Sequence, residues 1–335
     1  MKKIAQIGFI AVLAVIAVAL PLFIGENPYV IGILISVLMM AALSSAWNIL
    51  GGYAGQYSFG HAAYFGAGAY TTLILLTLYN LNPLICIALG IISSMLIALI
   101  TGSIVFRLRG HYFGLASIAV AEIVRLSVLN FEFTGGAQGI LLMDVALWNL
   151  DLNSKTPFYY GMLLVLAVTL GITAYLQKSK TGYYLQAIRE DQDAASSLGI
   201  NISFYKNKAL LISAALTSVL GSLYGLYIRF IDTSAVLDLR LSIEIILTAI
   251  IGGVGTLWGP VVGAILLVPL AEALRSNLLG DVLIHAGLVS ETSGVGVFLK
   301  ENLAHAHVLV YGIITVLCIL YLPKGLLGLF RRVNK

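Results

Sequence analysis

The run Leu84-Ile85-Cys86-Ile87-Ala88-Leu89-Gly90-Ile91-Ile92-Ser93-Ser94-Met95-Leu96-Ile97-Ala98-Leu99-Ile100-Thr101-Gly102-Ser103-Ile104-Val105-Phe106 contains no charged residue. Wound as a helix, it is long enough to cross a hydrocarbon core of about 30 Å. The rest of the chain has the same character: 60% of residues are apolar, 10% are charged, and the mean hydropathy is +0.99. Soluble domains carry about a quarter charged residues. A water-facing surface cannot be made from so few charges, whereas a lipid-facing one needs none.

Similar runs predict spans at Ile4 to Ile24, Tyr29 to Leu50, Ala62 to Tyr79, Leu84 to Phe106, Tyr112 to Leu129, Phe158 to Leu176, Ala209 to Ile228, Ser242 to Val254, Val261 to Leu274 and Val308 to Leu322. The expected fold is an all-α polytopic integral membrane protein, one transmembrane domain over residues 1–335 with about ten helices. The eighth and ninth runs are short, so two spans and a re-entrant pair both stay open. The first run follows Lys2 and Lys3 and carries a signal-like Ala17-Val18-Ala19, but its apolar stretch continues to Ile24, which favours an uncleaved anchor.

With the N-terminus inside, thirteen of the nineteen Lys and Arg fall in cytoplasmic segments, among them Arg107, Arg109, Lys178, Lys180, Lys206, Lys208, Arg331 and Arg332. The positive-inside rule then puts both termini in the cytoplasm of a cell membrane. Residues 177–208 become a cytoplasmic loop and residues 275–307 an extracytoplasmic one. Cys86 and Cys318 both lie in apolar runs and suggest neither a disulfide framework nor a zinc site.

Three glycine clusters interrupt the apolar pattern. They are Gly51-Gly52-Tyr53-Ala54-Gly55-Gln56-Tyr57-Ser58-Phe59-Gly60-His61, Thr134-Gly135-Gly136-Ala137-Gln138-Gly139, and Gly252-Gly253-Val254-Gly255-Thr256-Leu257-Trp258-Gly259-Pro260. Non-helical backbone at membrane depth survives only where protein or a water-lined cavity satisfies it, so these breaks are candidates to border a solute path. Asn48 adds a polar group one turn before the first. Close helix packing through small residues is the competing explanation. The first and third clusters share a Gly-Gly pattern that hints at an internal repeat.

Charges inside spans come with partners at helical spacing: Glu122 with Arg125, Arg240 with Glu244, and Glu272 with Arg275. An adjacent arginine holds a carboxylate in its charged form, which favours structural ion pairs over a proton relay. His61 follows the first cluster with no second ligand near it in sequence, and it reads as a hydrogen-bonded packing residue. No metal site is expected.

Within the cytoplasmic loop, Leu185, Ile188, Ala195 and Leu198 recur at helical spacing. Asp193 is positioned to cap a second short helix and Gly199 to end it. An acidic Glu190-Asp191-Gln192-Asp193 break suits a protein partner better than anionic lipid. Ala195 is expected to face that partner.

Here the sequence resembles the permeases of branched-chain amino-acid ABC transporters, specifically the larger, M-type subunit. The segment from Leu185 to Asn201, with Ala187, Arg189, Glu190, Asp191, Ala194, Ala195, Leu198, Gly199 and Ile200, is similar to that family's ATPase-coupling loop. Ala46 to Ala62 resembles its most recognisable segment, Asn130 with Thr134-Gly135-Gly136 and Gly139 its outer glycine motif, and Pro323-Lys324-Gly325-Leu326-Leu327-Gly328 its C-terminal signature. The outer stretch from Asn277 to His307 is longer and more polar than the family pattern.

The resemblance implies an importer permease that works with a second homologous permease, two ATP-binding cassette subunits and an extracytoplasmic solute-binding protein, without nucleic acid. The chain has no Gly-Lys-Ser or Gly-Lys-Thr phosphate loop, so ATP and Mg belong to the partner ATPases and this chain binds no cofactor of its own. A mostly apolar passage bordered by Asn48, Tyr53, Tyr57 and Phe59 suits a leucine-like zwitterion. Urea or amides remain alternatives within the family, and an ATPase-independent secondary transporter or an intramembrane enzyme remain alternatives outside it. The ordered acidic loop argues against the secondary transporter, and the lack of a nucleophile–base pair against the enzyme.

Overall fold

Helix starts are written locally in this chain. Asn27 accepts a hydrogen bond from Tyr29 N at 3.1 Å with Pro28 as first helical residue, and Asn82 accepts from Leu84 N at 2.9 Å with Pro83 following. Each asparagine satisfies an otherwise orphaned N–H, and each proline occupies a position that needs no donor. The computed structural model describes residues 15–23, 27–108, 111–142, 154–276, 312–313, 316–317, 320 and 325–328.

The principal helices are α1 (Pro28–Gly51), α2 (His61–Tyr79), α3 (Pro83–Val105), α4 (His111–Asn130), α5 (Thr156–Lys178), α6 (Lys180–Glu190), α7 (Gln192–Ser197), α8 (Ile202–Ile228), α9 (Thr233–Val236), α10 (Leu239–Gly252) and α11 (Gly259–Arg275). A two-residue antiparallel ladder joins β1 (Ile140–Leu141) to β2 (Phe230–Ile231).

Among the described residues six helices, α1 to α5 and α8, are long and apolar enough to cross a membrane. The expected eighth and ninth spans are the shorter α10 and α11. The expected first and tenth spans lie largely outside the described residues, as do Cys318 and the outer stretch beyond residue 276.

The buried centre is α1, α2 and α8, while α3 and α4 expose most of their surface. Backbones approach closely at the centre because glycines remove the side chains between them. A Cβ on Gly68 would collide with the Ser218 carbonyl, and one on Gly221 with the Phe65 carbonyl. At the same contact Thr72 Oγ1 donates to Ser222 Oγ at 2.8 Å, and Ser222 Oγ donates to Gly68 O at 3.1 Å. Small residues and interhelical hydroxyl bonds are what hold helices together when apolar surface alone gives no advantage over lipid.

The expected eighth and ninth spans are helices of unequal length, 14 residues in α10 and 17 in α11. Ala62 N donates to Ser242 Oγ at 2.9 Å, so α10 starts level with the first turn of α2 and not at the end of the bundle. The other helix of the pair, α11, returns alongside α1: Gly255, just before it, bonds Asn48, and Glu272 near its end accepts from the Tyr29 hydroxyl at 3.5 Å.

Candidate functional site

The first glycine cluster is unwound chain inside the bundle. Gly52 packs on Gly255 at one end of α10 and Ala62 bonds Ser242 at the other, so the stretch between them runs alongside α10 for about 15 Å, the rise of ten helical residues. Its backbone groups are met by side chains: Trp47 Nε1 donates to Ser58 O at 2.8 Å, Phe59 N to Ser117 Oγ at 2.9 Å and Gly60 N to Ser58 Oγ at 3.2 Å. His61 is fully buried and bonded to Ser213 Oγ at 2.8 Å. Tyr57 is half exposed beside Trp47.

The third cluster, about two hundred residues further on, closes onto the first through one side chain. Asn48 Nδ2 donates to Thr256 O at 2.9 Å and its Oδ1 accepts from Gly255 N at 2.8 Å. A Cβ on Gly52 would meet Gly255 N at 2.6 Å, and one on Gly252 would collide with the Gly259 carbonyl. Gly253 and Gly255 both take positive φ, 129° and 75°. Gly325, from the C-terminal signature, lies over Gly253, where an added Cβ would stand 2.5 Å from its Cα.

The second cluster is elsewhere. Gly135 and Gly136 form a tight turn after α4, and Gly139 packs on the Ile231 carbonyl beside the β ladder. They sit at the end of the bundle opposite the other two clusters.

The loop between α5 and α8 reaches the joined breaks. Arg189 on α6 donates from Nη1 to Gly52 O at 3.0 Å while Nη2 pairs with Glu190 at 2.8 Å. Gln177 donates to the Tyr53 hydroxyl. Buried Lys206 on α8 donates to Gln192 on α7 at 3.0 Å. The loop is therefore tied to the bundle at both of its helices.

Two expectations for this loop need correction. The cap of α7 is Asp191, whose Oδ1 accepts from Asp193 N at 2.9 Å and Ala194 N at 3.0 Å; Asp193 is already inside the helix. Ala195 is 2% exposed and packs inward with Leu185 and Ile188, whereas Leu198 is 81% exposed. Gly199 ends the helix at φ +81°, with Gly199 N bonded to Ser196 O and Ile200 N to Ala195 O. Ala187 is partly buried and Ala194 exposed.

Of the expected ion pairs, Arg125 Nε donates to Glu122 at 2.8 Å, and Arg275 lies 3.0 Å from Glu272. Among the described residues no group of His, Cys, Asp and Glu could hold a metal ion.

Residues 29–318, most of the chain, match the family described as branched-chain amino acid transport system / permease component. The chain belongs to that permease family. It is 27% identical over 313 residues to the high-affinity branched-chain amino acid transport system permease protein LivM of Salmonella typhimurium, covering 86% of this chain and 73% of that one. The probable branched-chain amino acid transport permease protein LivM of Methanocaldococcus jannaschii is 24% identical, over 85% of this chain and 89% of that protein. The probable permease LivH of the same organism is 22% identical, over 67% and 73%. No solved structure matches the chain.

The permease also has a cavity of about 450 Å³ that the glycine pattern does not reveal. Met39 and Met40 of α1, Phe65 of α2, Tyr224 of α8, and Ser234, Ala235, Asp238, Arg240, Leu241 and Glu244 around the start of α10 line it. None of the expected path residues is among them. Arg240 and Glu244 were legible as a helical pair by their spacing of four; that both face open space is a tertiary fact.

Proposed function

We propose that this chain is one of two permease subunits of an ATP-driven importer for branched-chain amino acids in the cytoplasmic membrane. Both termini and α6–α7 face the cytoplasm, α7 docks on an ATP-binding cassette subunit, and a solute-binding protein delivers substrate at the other face. ATP is hydrolysed by the partners. Two permeases of one organism, LivM and LivH, are both similar to this chain, which supports pairing with a homologous second subunit.

The observation that carries the reading is the construction of α6–α7. Leu198 stands exposed at its outer surface, while Arg189 on the same element holds the carbonyl of Gly52 in the unwound stretch. A partner that moves α7 thereby acts on the join between the two glycine breaks. Closure of ATP-bound cassettes supplies such a movement.

Leu198→Cys tests orientation and docking together. An impermeant maleimide should label it only from the cytoplasmic side, and assembly with the ATPase subunits should protect it. Leu198→Glu should lower ATPase co-purification and uptake together. Labelling from outside, or labelling undiminished in the assembled complex, would remove the docking assignment.

A further inference from the structure

The 450 Å³ cavity lies away from α6–α7, between the middle of α1, the first turns of α2 and the outer part of α8. It falls within the roughly 300–1,000 Å³ of small-molecule sites. Its wall is divided chemically. Met39, Met40, Phe65 and Leu241 are apolar, whereas Asp238, Arg240 and Glu244 bring charges of both signs to one side.

We infer that this cavity holds the transported solute within the permease, and that its chemistry selects an α-amino acid with an aliphatic side chain. The carboxylates of Asp238 and Glu244 receive the ammonium group, the Arg240 guanidinium receives the carboxylate, and the Met39, Met40 and Phe65 surface receives the hydrocarbon. This rests on the importer reading and deepens it by naming the residues that recognise the substrate.

Charge is the reason a site is needed at this depth. A zwitterion carries two full charges, and each costs several kcal/mol to take from water unless it meets an opposite charge or good hydrogen bonds. An apolar passage alone would exclude leucine. Arg is suited to a planar carboxylate because its fork donates two parallel bonds. The two methionines supply an apolar floor that re-packs without strain, so leucine, isoleucine and valine can share it.

Asp238 is partly engaged already: its Oδ1 accepts from Arg240 N at 2.7 Å as the cap of α10. That bond fixes the start of α10, and with it the backbone that carries Arg240 and Glu244. The same helix ends at Gly252, where the two glycine breaks join. One short helix therefore connects the proposed solute site with the coupling end, its length about 20 Å.

The test uses the assembled complex in proteoliposomes, with radiolabelled leucine, a saturating binding protein and internal ATP. Glu244→Gln and Arg240→Gln are nearly isosteric or shorter neutral replacements, and each should lower leucine uptake at least tenfold while the complex still co-purifies with its partners. Met40→Trp fills the cavity and should abolish uptake. Uptake within twofold of wild type for both charge variants overturns the solute site and leaves the importer reading standing. A wild-type complex that carries urea but no leucine overturns the importer's substrate and this proposal together.

Discussion

At the α6–α7 end of the permease, Asn48 and Arg189 direct their side chains to backbone atoms of unwound chain, whereas at the far end of α10 Arg240 and Glu244 face a cavity. The first arrangement closes space: glycines allow contact without side chains, and Asn48 and Arg189 each meet backbone partners in the chain. The second leaves space and lines part of it with charge. A region of the first kind is suited to transmit a displacement, because close-packed backbone has little room to absorb one. The second is suited to bind.

The largest break in this contrast should come from filling the closed end. Gly52→Val sets methyl groups against Gly255 N and Asn48, where even one Cβ is too close, and overpacking typically costs about 1–3 kcal/mol. Uptake should be lost. Gly171→Val on α5 is the matched control, since nothing lies within 4 Å of a Cβ there, and its uptake should equal wild type. Equal transport by both variants would mean that the joined breaks are not a working part.

Arg189→Ala should have the next largest effect. Removing a hydrogen bond from a charged donor is worth about 1.5–3 kcal/mol, and uptake should fall about tenfold or more. The informative quantity is the ratio of ATP hydrolysed to leucine carried. If Arg189 passes movement to Gly52, hydrolysis continues and the ratio rises. If hydrolysis falls in parallel with uptake, Arg189 acts on docking and the connection to the break is incidental.

Sequence pattern reveals the breaks but not their join. A glycine cluster between apolar runs is a local signal, visible at Gly51–Gly60 and again at Gly252–Gly259. That Asn48 bridges them depends on two segments about two hundred residues apart, and nothing in the local pattern encodes it. The same holds for Gly325 over Gly253 and for Met39 and Met40 lining the cavity, since a methionine in an apolar run looks the same whether it faces lipid, helix or solute. The inward turn of Ala195 was hidden for another reason. A helix of six residues is under two turns, so its apolar residues do not fix which face is buried.

The smallest predicted effect separates Asp193, which the sequence suggests as the cap of α7, from Asp191, which holds that place in the structure. Asp191 accepts from two N–H groups at the start of that helix, and loss of such a cap costs about 0.5–2 kcal/mol. Asp191→Ala should therefore loosen α7 and weaken ATPase binding about fivefold, the equivalent of about 1 kcal/mol, with leucine binding in the cavity unchanged. Asp193→Ala keeps the cap and should weaken it less. Titration of the ATPase subunit against membranes carrying each variant gives both affinities from one experiment. If Asp193→Ala is the weaker binder, carboxylate charge at the docking surface matters more than helix geometry, and the contrast between a mechanically built end and an electrostatic one would have to be redrawn at α7.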